Sequence, residues 1–496
     1  MSKKTLFFDA YCGYSVSAVT ENGKITEFHF EKEGGTSIVG NIYKGRVENV
    51  LQGMNAAFVN CGLERNCYLS AEDMMPDAGK YDGENTDAPT FPELKAGDEI
   101  MVQVVKAPVG KKGAKVTAFP SFVGKYLIYM PRTPFVGVSR KIADAELRKN
   151  LAYSARGLKS ENEGLVFRTA APYTRRDRLE LELDYMRKLF GKIENAFETS
   201  AVGALLYSDW ALPLRVMRDT LSYDVEKIVV GNKKLEKLIN DLVELTQPAY
   251  RRPVIPHDTG RDMLGELGLS QQIYELASPK VALDNGADLV IEKTEALTVI
   301  DVNTGKFTGA DNLEQTVYYT NILAAREIAR QVKLRNIGGI VVVDFIDMNT
   351  AAHRAAIVEE LERALQKDGA KCSVSPMSKF GLVEFTRKRS GASPLSLMIK
   401  PCKYCKTGYT KSPRFAVLGL RAKLLDAYCD GARKIKIDLS FELFDEITGW
   451  AELKEDLLAR FEGAEIYAVP HKSYCEDKAV FSCGEFALPE KAVRLV

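Results

Sequence analysis

Two short apolar segments on either side of an amphipathic helix constrain the fold of this chain more than any other feature. The first reads Leu-Thr-Val-Ile-Asp-Val-Asn-Thr-Gly over residues 297–305, and the second reads Gly-Ile-Val-Val-Val-Asp-Phe-Ile-Asp over residues 339–347. Runs this short, rich in β-branched residues, predict buried strands. A helix is predicted between them, from Leu313 to Leu334, with an apolar stripe of Ile322, Ala325, Ile328, Ala329 and Val332. A strand–helix–strand unit favours a parallel pair of strands.

Two aspartates lie near the carboxyl ends of these predicted strands. Residues two apart in a strand share a face, so Asp301 and Asn303 point the same way and Val302 points back. Asp344 lies near the end of the second strand. Carboxylates at the ends of adjacent parallel strands suit a hard divalent cation, magnesium or manganese. The aspartates could instead end their strands or cap helices, and spacing alone leaves both interpretations open.

The motifs in and around these strands carry a family resemblance. They are Asp-Val-Asn-Thr-Gly from Asp301, Glu-Gln-Thr from Glu314, Asn321, Ala-Ala-Arg-Glu-Ile-Ala-Arg-Gln from Ala324, and Gly-Gly-Ile-Val-Val-Val-Asp-Phe-Ile-Asp-Met from Gly338. Together they closely resemble the catalytic core of the ribonuclease E/G family, and the resemblance spans almost the whole chain. It implies a DNase I-like catalytic subdomain over residues 281–399. Asp301 and Asp344 match the family's magnesium-binding pair, and Asn303 matches a supporting catalytic asparagine.

The composition limits the class of protein. At 496 residues, with 46% hydrophobic and 27% charged residues, the chain is typical of soluble multidomain proteins. Lys and Arg total 68 against 67 Asp and Glu, so any nucleic-acid binding must come from local patches. The N-terminus lacks a secretory signal, no apolar run is long enough to span a membrane, and the 9 cysteines without a signal indicate a reducing compartment. We therefore expect a cytoplasmic protein without a membrane span.

The first residues read as strands joined by turns, and Asn22-Gly23 is a strong hairpin signal. Alone, this segment is too short for a domain. The family resemblance implies that residues 1–36 belong to an RNase H-like subdomain that residues 214–280 complete. The sequence itself does not reveal this return of the chain.

Regularly spaced short strands between residues 37 and 119 fit a small barrel, with the polar piece from Gly79 to Pro92 as a loop. Aromatic and basic side chains on such strands can stack bases and contact phosphates. By itself, Phe58 reads more simply as a core residue. The segment resembles the family's OB-fold RNA-binding domain, inserted in the RNase H-like subdomain. Phe58, Tyr68 and Lys112 match its RNA-contacting positions, although Tyr68 replaces a phenylalanine.

Residues 120–213 read as strands followed by a long amphipathic helix. One strand ends in Arg168 and Thr169, and an arginine beside a hydroxyl suits a terminal phosphate. Taken alone, Arg168 reads more simply as a surface ion pair. The resemblance implies the family's 5′-sensor subdomain, with Arg168 and Thr169 at the phosphate-binding positions and Gly124 and Ile128 lining the pocket. Ile128 replaces a valine.

A basic cluster and a cysteine pair follow the catalytic strands. The cluster of Arg387, Lys388 and Arg389 would steer RNA towards a scissile phosphate, or would be ordinary solvated surface. Cys402 and Cys405 form a Cys-x-x-Cys knuckle, a frequent zinc half-site for which a redox role is the alternative. A closed zinc site needs four ligands, and the chain has no second knuckle.

The resemblance implies a zinc link at residues 400–415, where two protomers each donate Cys402 and Cys405, although Lys403 replaces a proline. A homodimer or a homotetramer follows. A small C-terminal domain would cover residues 416–496. The sequence shows no long Arg- and Pro-rich tail such as that of ribonuclease E, so we expect the ribonuclease G branch of the family to be the closer match.

The sequence thus predicts a multidomain protein of the α/β and α+β classes. The resemblance implies an endoribonuclease for single-stranded RNA that is stimulated by a 5′-monophosphate and leaves 5′-phosphate products, acting on rRNA precursors and mRNA in rRNA maturation and mRNA turnover. Magnesium held by Asp301 and Asp344 would activate water, with Asn303 as an orienting group. The rival is a non-catalytic RNA-binding or ribosome-assembly protein, which would have no use for two buried aspartates at strand ends.

Overall fold

A computed structural model gives the fold. It describes residues 3–33, 38–51, 56–70, 81–85, 94–106, 108, 112–139, 142, 144–208, 212–221, 224–246, 251–304, 313–366, 368, 370–388, 393–403, 409–474 and 477–496. The chain divides into two compact units, one of Met1–Glu33, Glu226–Leu235 and Ile255–Val496, the other of Gly34–Val225 and Glu236–Val254. No helix within the described ranges is long and apolar enough to cross a membrane.

The chain opens with an antiparallel meander of three strands, β1 (Lys4–Tyr11), β2 (Tyr14–Glu21) and β3 (Lys24–Lys32). The β2–β3 turn is made by Asn22 and Gly23, both at positive φ (51° and 79°), the backbone that an Asn-Gly hairpin requires. The hairpin predicted at this dipeptide is therefore confirmed.

A closed barrel follows. The next strands are β4 (Ile42–Leu51), β5 (Ala56–Asn60), β6 (Cys67–Ser70), β7 (Tyr81–Asn85), β8 (Glu99–Lys106) and β9 (Lys115–Thr117). Five of them pair in the order β4-β5-β6-β9-β8, and β8 pairs back onto β4. Inward-facing residues of its strands fill the barrel, among them Val59, Leu69, Val102 and Val116. The small barrel predicted from strand spacing is thus present.

A five-stranded sheet packed on two helices comes next. Its elements are β10 (Phe122–Val123), β11 (Leu127–Met130), β12 (Phe135–Ser139), α1 (Ala145–Leu158), β13 (Gly164–Phe167) and α2 (Arg176–Thr199). The strand order is β10-β11-β13-β12-β7. The prediction of a loop from Gly79 to Pro92 is wrong for its middle part, because β7 pairs with β12 as an edge strand. The rest of that segment lies outside the described residues.

The chain then returns to the opening meander. The elements are β14 (Leu205–Tyr207), which pairs with β4, then α3 (Leu212–Thr220), β15 (Val225–Val230), α4 (Lys233–Thr246), β16 (Val254–Pro256), α5 (Met263–Glu266) and α6 (Ser270–Glu275). The first sheet has the order β16-β15-β1-β2-β3, so β15 lies beside β1. One sheet therefore joins segments that are far apart in sequence.

The predicted strand–helix–strand unit lies in a six-stranded mixed sheet. Its elements are β17 (Lys280–Ala282), β18 (Asp288–Lys293), β19 (Leu297–Asn303), α7 (Leu313–Leu334), β20 (Gly339–Asp344), α8 (Ala351–Gln366), β21 (Cys372–Val374) and β22 (Leu382–Arg387). The order is β17-β18-β19-β20-β22-β21, with β19 and β20 parallel. Helices α7 and α8 cover one face, burying Ile300, Val302, Val341 and Val343.

The last part holds a hairpin and a four-stranded sheet with helices. The elements are α9 (Leu395–Met398), β23 (Ile399–Pro401), β24 (Tyr409–Lys411), α10 (Pro413–Cys429), β25 (Lys434–Leu439), α11 (Phe441–Gly449), α12 (Ala451–Arg460), β26 (Glu465–Pro470), β27 (Ala479–Cys483) and β28 (Val493–Arg494). The sheet order is β27-β25-β26-β28. Its core is continuous with that of the opening meander, through residues such as Phe30, Phe415 and Trp450.

Candidate functional site

Asp301 and Asp344 occupy matching positions on two neighbouring strands. In the parallel β19–β20 pair, Ile300 lies opposite Val343 and Asp301 lies opposite Asp344. Adjacent strands run about 4.8 Å apart, and residues opposite each other share a face of the sheet. The structure therefore brings these two predicted residues together.

Asn303 lies two residues beyond Asp301 on the same strand, and so on the same face. Its side-chain Nδ2 donates a hydrogen bond to Oδ2 of Asp301 at 2.9 Å. That contact leaves the other carboxylate oxygen of Asp301 for a different partner. Asp301, Asn303 and Asp344 therefore lie close together on one face of the sheet, as the sequence predicts.

The face that carries these side chains is not the face under α7 and α8. Asp301, Asn303 and Asp344 are exposed, whereas the alternating residues Val302 and Val343 are buried. The expectation of two buried aspartates is therefore wrong. In the described part of the chain, α7 and α8 cover the opposite side of the sheet, and the carboxylates on this side are in contact with water.

The local charge around Asp344 is negative. Although Asp344 is exposed, partial desolvation of its carboxylate raises its pKa above the ordinary value, and the nearby carboxylates of Asp301 and Asp347 raise this pKa further. Two carboxylates plus an amide fit magnesium, which takes one or two protein carboxylates and completes its shell with water and phosphate oxygens. Among the residues described above, no set of three or more His, Cys, Asp or Glu is arranged to hold a metal ion. Asp301 and Asp344 are therefore the two carboxylates in matching positions that this face offers to a metal ion.

The segment that follows Asp344 is fixed by α7. Asn321, fully buried, donates from Nδ2 to the carbonyl of Ile346 at 2.8 Å and accepts its N–H at Oδ1 at 3.2 Å. Glu314 accepts the backbone N–H groups of Asn349 and Thr350 at 3.3 and 3.1 Å. These hydrogen bonds, that of Thr350 foremost, lower the pKa of Glu314 to about 2. Sequence reasoning gave neither residue a role, although Asn321 is a polar residue within the buried stripe of α7.

Two of the three predicted RNA contacts of the barrel, Phe58 and Tyr68, lie on neighbouring strands, and Lys112 lies just before β9. Phe58 on β5 is opposite Tyr68 on β6, with ring centroids 5.9 Å apart in an edge-to-face arrangement. Both are half-buried, while Val59 is fully buried inside, so the reading of Phe58 as a core residue is wrong. The N–H of Tyr68 bonds the carbonyl of Ala114 at 2.8 Å, which brings the exposed Lys112 towards β6. The barrel thus presents two aromatic rings and an amine on its outer surface.

Arg168 and Gly124 of the predicted sensor are in direct contact. The guanidinium of Arg168 donates to the carbonyl of Gly124 and lies 3.8 Å from a carboxylate oxygen of Asp219. Thr169 is exposed beside it. Ile128 is half-buried and packs against Met130, Phe135 and Val166. Arg168 thus has an ion-pair partner, as the simpler interpretation has it, and still exposes 32% of its side chain.

A buried glutamate holds the loop next to Arg168. The carboxylate of Glu182 accepts three successive backbone N–H groups, those of Lys125, Tyr126 and Leu127, at 2.5, 2.9 and 2.9 Å. Burial raises the pKa of Glu182, and the three N–H groups oppose that rise. Glu182 was not singled out from the sequence. A signal for it exists, because it lies in the apolar stripe of α2 with Leu179 and Leu183.

Two other predicted features have different outcomes. Arg387 is not a surface cation: it is 4% exposed, its Nε donates to Asp368 at 2.5 Å, and its Nη1 donates to the carbonyl of Ile337 at 2.8 Å. The Arg387 side chain faces inward because β22, which lies between β20 and β21, extends as far as this residue.

Cys402 of the predicted zinc knuckle is half-exposed directly after β23, in the connection to β24, and Cys405 lies outside the described residues.

A profile of the Ribonuclease E/G family matches residues 121–390. Ribonuclease G of Escherichia coli (strain K12) is 37% identical over 393 residues, which cover 78% of this chain and 80% of that protein. Ribonuclease G of Haemophilus influenzae is 35% identical over 393 residues, with the same two shares of 78% and 80%. Ribonuclease E of Synechocystis sp. is 35% identical over 375 residues, 75% of this chain and 55% of that protein. These matches confirm the resemblance read from the motifs: the chain belongs to the ribonuclease E/G family.

Proposed function

We propose that this protein is a magnesium-dependent endoribonuclease that cleaves single-stranded RNA. The observation that carries the proposal is the register of β19 and β20, which sets Asp301 opposite Asp344 on an exposed face. The names of its relatives, ribonuclease G and ribonuclease E, support RNA as the substrate.

In this proposal Asp301 and Asp344 hold the magnesium ion. When bound there, the ion would supply Lewis-acid stabilisation of charge on the scissile phosphate and a more acidic water. Asn303 fixes the rotation of the Asp301 carboxylate through its 2.9 Å hydrogen bond. Asn321 and Glu314 hold the backbone after Asp344, so that its carboxylate keeps its position at the strand end.

Two further surfaces support binding of a single RNA strand. Phe58 and Tyr68 present aromatic edges and faces for base stacking, and Lys112 supplies a charge for phosphate. Arg168 and Thr169 would bind a 5′-monophosphate and so stimulate cleavage, with Gly124 and Ile128 beside them. A terminal phosphate would compete with Asp219 for Arg168. Processing of rRNA precursors and turnover of mRNA are the proposed roles.

We also propose that zinc links two copies of the chain through Cys402 and Cys405 of each. The knuckle begins at the end of β23, and a hairpin connection is a suitable place for a compact thiolate site. The assembly would be a homodimer, or a homotetramer built from such dimers. A cytoplasmic location remains a prediction.

The rival proposal is a non-catalytic RNA-binding or ribosome-assembly protein. The exposure of the two aspartates is compatible with this rival, because an exposed carboxylate has a small desolvation penalty and needs no catalytic role to explain it. It gives no account of Asn303 bonded to Asp301 beside a second carboxylate.

One experiment separates the two proposals. The protein is incubated with a 5′-monophosphorylated single-stranded RNA, with magnesium and with EDTA, and the products are examined for their end groups. The proposal expects internal cleavage only with magnesium, leaving a 5′-phosphate and a 3′-hydroxyl. The Asp301→Asn variant, purified in the same way, controls for contaminating nuclease. RNA bound but never cut, under conditions that saturate binding, would support the rival.

A further inference from the structure

We propose that Phe380 is a base-stacking residue of the active site, one that holds a nucleotide next to the scissile phosphate. This inference rests on the proposed function, because it assigns part of the substrate site of the same enzyme. It concerns a side chain that neither the sequence nor the family resemblance singled out.

Phe380 is exposed to solvent. The residue is 84% exposed, the highest value among the large apolar and aromatic residues described in its unit. A single exposed aromatic ring is ordinary on a protein surface. The position of Phe380 beside the candidate site is what makes this ring informative.

The backbone around Phe380 is well fixed. The N–H of Gly381 bonds the carbonyl of Ser378 at 3.2 Å, and the N–H of Ser378 bonds the carbonyl of Leu382 at 2.8 Å. The Ser378 hydroxyl oxygen accepts the N–H groups of Phe380 and Leu382 at 3.3 and 3.2 Å. Gly381 has φ +81°, a conformation that favours glycine and lets the chain turn sharply into β22. The ring is thus held out by a rigid turn.

This turn lies beside the carboxylates. Leu382, the first residue of β22, is opposite Asp344 in the antiparallel β20–β22 pair. A Cβ built on Gly381 would lie 3.4 Å from Oδ1 of Asp347, whose charge raises the pKa of Asp344. Phe380 therefore lies two residues before β22, just beyond the end of the sheet that carries the site proposed for phosphate hydrolysis.

The chemistry of the position favours a nucleobase. Single-stranded RNA has unpaired bases whose faces stack on aromatic side chains, and stacking tolerates any base. The carboxylates themselves repel the RNA backbone, so an uncharged contact near them would help to hold the strand in place. Lys379, exposed next to Phe380, adds a charge for a flanking phosphate.

The test combines a protein change with a substrate change. Cleavage of a short 5′-monophosphorylated RNA is measured at limiting substrate, with the intact strand and with strands that carry one abasic site on either side of the cut bond. We expect the abasic site that removes the stacked base to slow the parent about tenfold (about 1.4 kcal/mol). Phe380→Ala should slow the intact strand to the same extent and show no further loss with the abasic strand. A merely structural role for Phe380 would leave the effect of the abasic site unchanged.

Two substitutions and one control sharpen this result. Phe380→Tyr keeps the aromatic face and should cleave like the parent, whereas Phe380→Leu keeps an apolar side chain and should behave like Phe380→Ala. Phe441→Ala removes an exposed phenylalanine of α11 and should change nothing. The proposal would be overturned if Phe380→Leu cleaved as fast as the parent. It would also be overturned if the abasic site slowed Phe380→Ala as much as it slows the parent. Light scattering that shows a lower mass for Phe380→Ala, together with a parent-size abasic effect, would make Phe380 a protein contact instead.

A binding measurement separates this inference from the proposed function. RNA with 2-aminopurine at the stacked position is titrated with Asp301→Asn protein, and stacking quenches the fluorescence. If the double variant Asp301→Asn/Phe380→Ala no longer quenches the fluorescence, the result supports the inference even if no RNA is ever cleaved. Quenching that is equal with and without the phenylalanine overturns it even if cleavage is observed.

Discussion

Asp301 lies directly opposite Asp344 across the parallel pair of β19 and β20. Side chains alternate along a strand, so a slip of one residue in either strand would turn one carboxylate to the face covered by helices. The buried neighbours Val302 and Val343 prevent such a slip, because it would expose them. The apolar pattern of the two strands therefore fixes the distance between the two carboxylates.

Replacing Asn321 with leucine should reduce cleavage without preventing RNA binding. The change removes both hydrogen bonds to the half-buried backbone of Ile346 and frees the segment after Asp344. We expect a loss of about 1–3 kcal/mol in stability. Thr320→Val, one residue away on α7 and equally buried, removes bonds to Asn285 and Thr316 instead. If the two variants lose stability equally but only Asn321→Leu loses activity, Asn321 is a positioning residue. Equal activities would make its role purely structural.

Replacing Arg168 with alanine should narrow the rate difference between 5′-monophosphate and 5′-hydroxyl RNAs. A charge-assisted hydrogen bond to phosphate is worth roughly 1.5–3 kcal/mol, or about tenfold or more in preference. Arg176→Ala, which removes an exposed arginine at the start of α2, serves as the control. If the Arg168→Ala enzyme keeps the parent's full preference, Arg168 only pairs with Asp219.

Glu163 should make the stability of its unit depend on pH. Burial raises its pKa, but two hydrogen bonds from Arg187 and others from the Ser160 N–H and the Tyr129 hydroxyl outweigh burial and lower the pKa to about 2. A depressed pKa stabilises the folded state above the ordinary value of 4.5, and this stabilisation is lost as the pH falls towards 2. We therefore expect Glu163→Gln to lower the free energy of unfolding by about 1.5–3 kcal/mol at pH 7.

Urea unfolding curves at pH 7 and in the acid range check the Glu163 prediction. The difference between Glu163→Gln and the parent should shrink below pH 4.5. Glu194→Gln, which alters an exposed pair with Arg132, should stay within about 0.5 kcal/mol of the parent at both pH values. A difference for Glu163→Gln that is the same at both pH values would contradict the assigned pKa.

Zinc and association should be lost together. A Cys-x-x-Cys pair supplies two thiolates, and a structural zinc site needs four, so a second copy would provide the rest. Cys402→Ser or Cys405→Ser should release zinc and weaken the dimer, since metal binding and association share one free energy. Light scattering and metal analysis decide the question. One zinc per chain, or a double variant that stays dimeric when dilute, would exclude the shared site.

Much of the catalytic region could be predicted from local patterns. The strand β19 and the helix α7, from Leu313 to Leu334, follow directly from apolar runs and a helical stripe. The Asn22-Gly23 hairpin follows from turn chemistry. These features depend on interactions between residues that are close in sequence, so the sequence alone is enough to predict them.

The features that were predicted wrongly or missed depend on contacts between segments that are distant in sequence. The sequence did not reveal that α7 and α8 pack on the face opposite to Asp301 and Asp344, two residues that are exposed. Arg387 looked like part of a surface cluster because its partner, Asp368, lies on a different segment. Glu182 went unnoticed for the same reason, since the N–H groups that it binds come from a loop far upstream.

The most direct test of the account is the effect of single carboxylate substitutions on cleavage and on RNA binding. Asp301→Asn and Asp344→Asn each remove one charge from the pair, while Glu292→Gln removes an exposed carboxylate elsewhere on β18 as a control. At saturating magnesium, we expect both aspartate variants to lose most of the cleavage rate yet bind RNA with parent affinity, and we expect Glu292→Gln to match the parent. Cleavage near the parent rate by either aspartate variant would contradict this expectation.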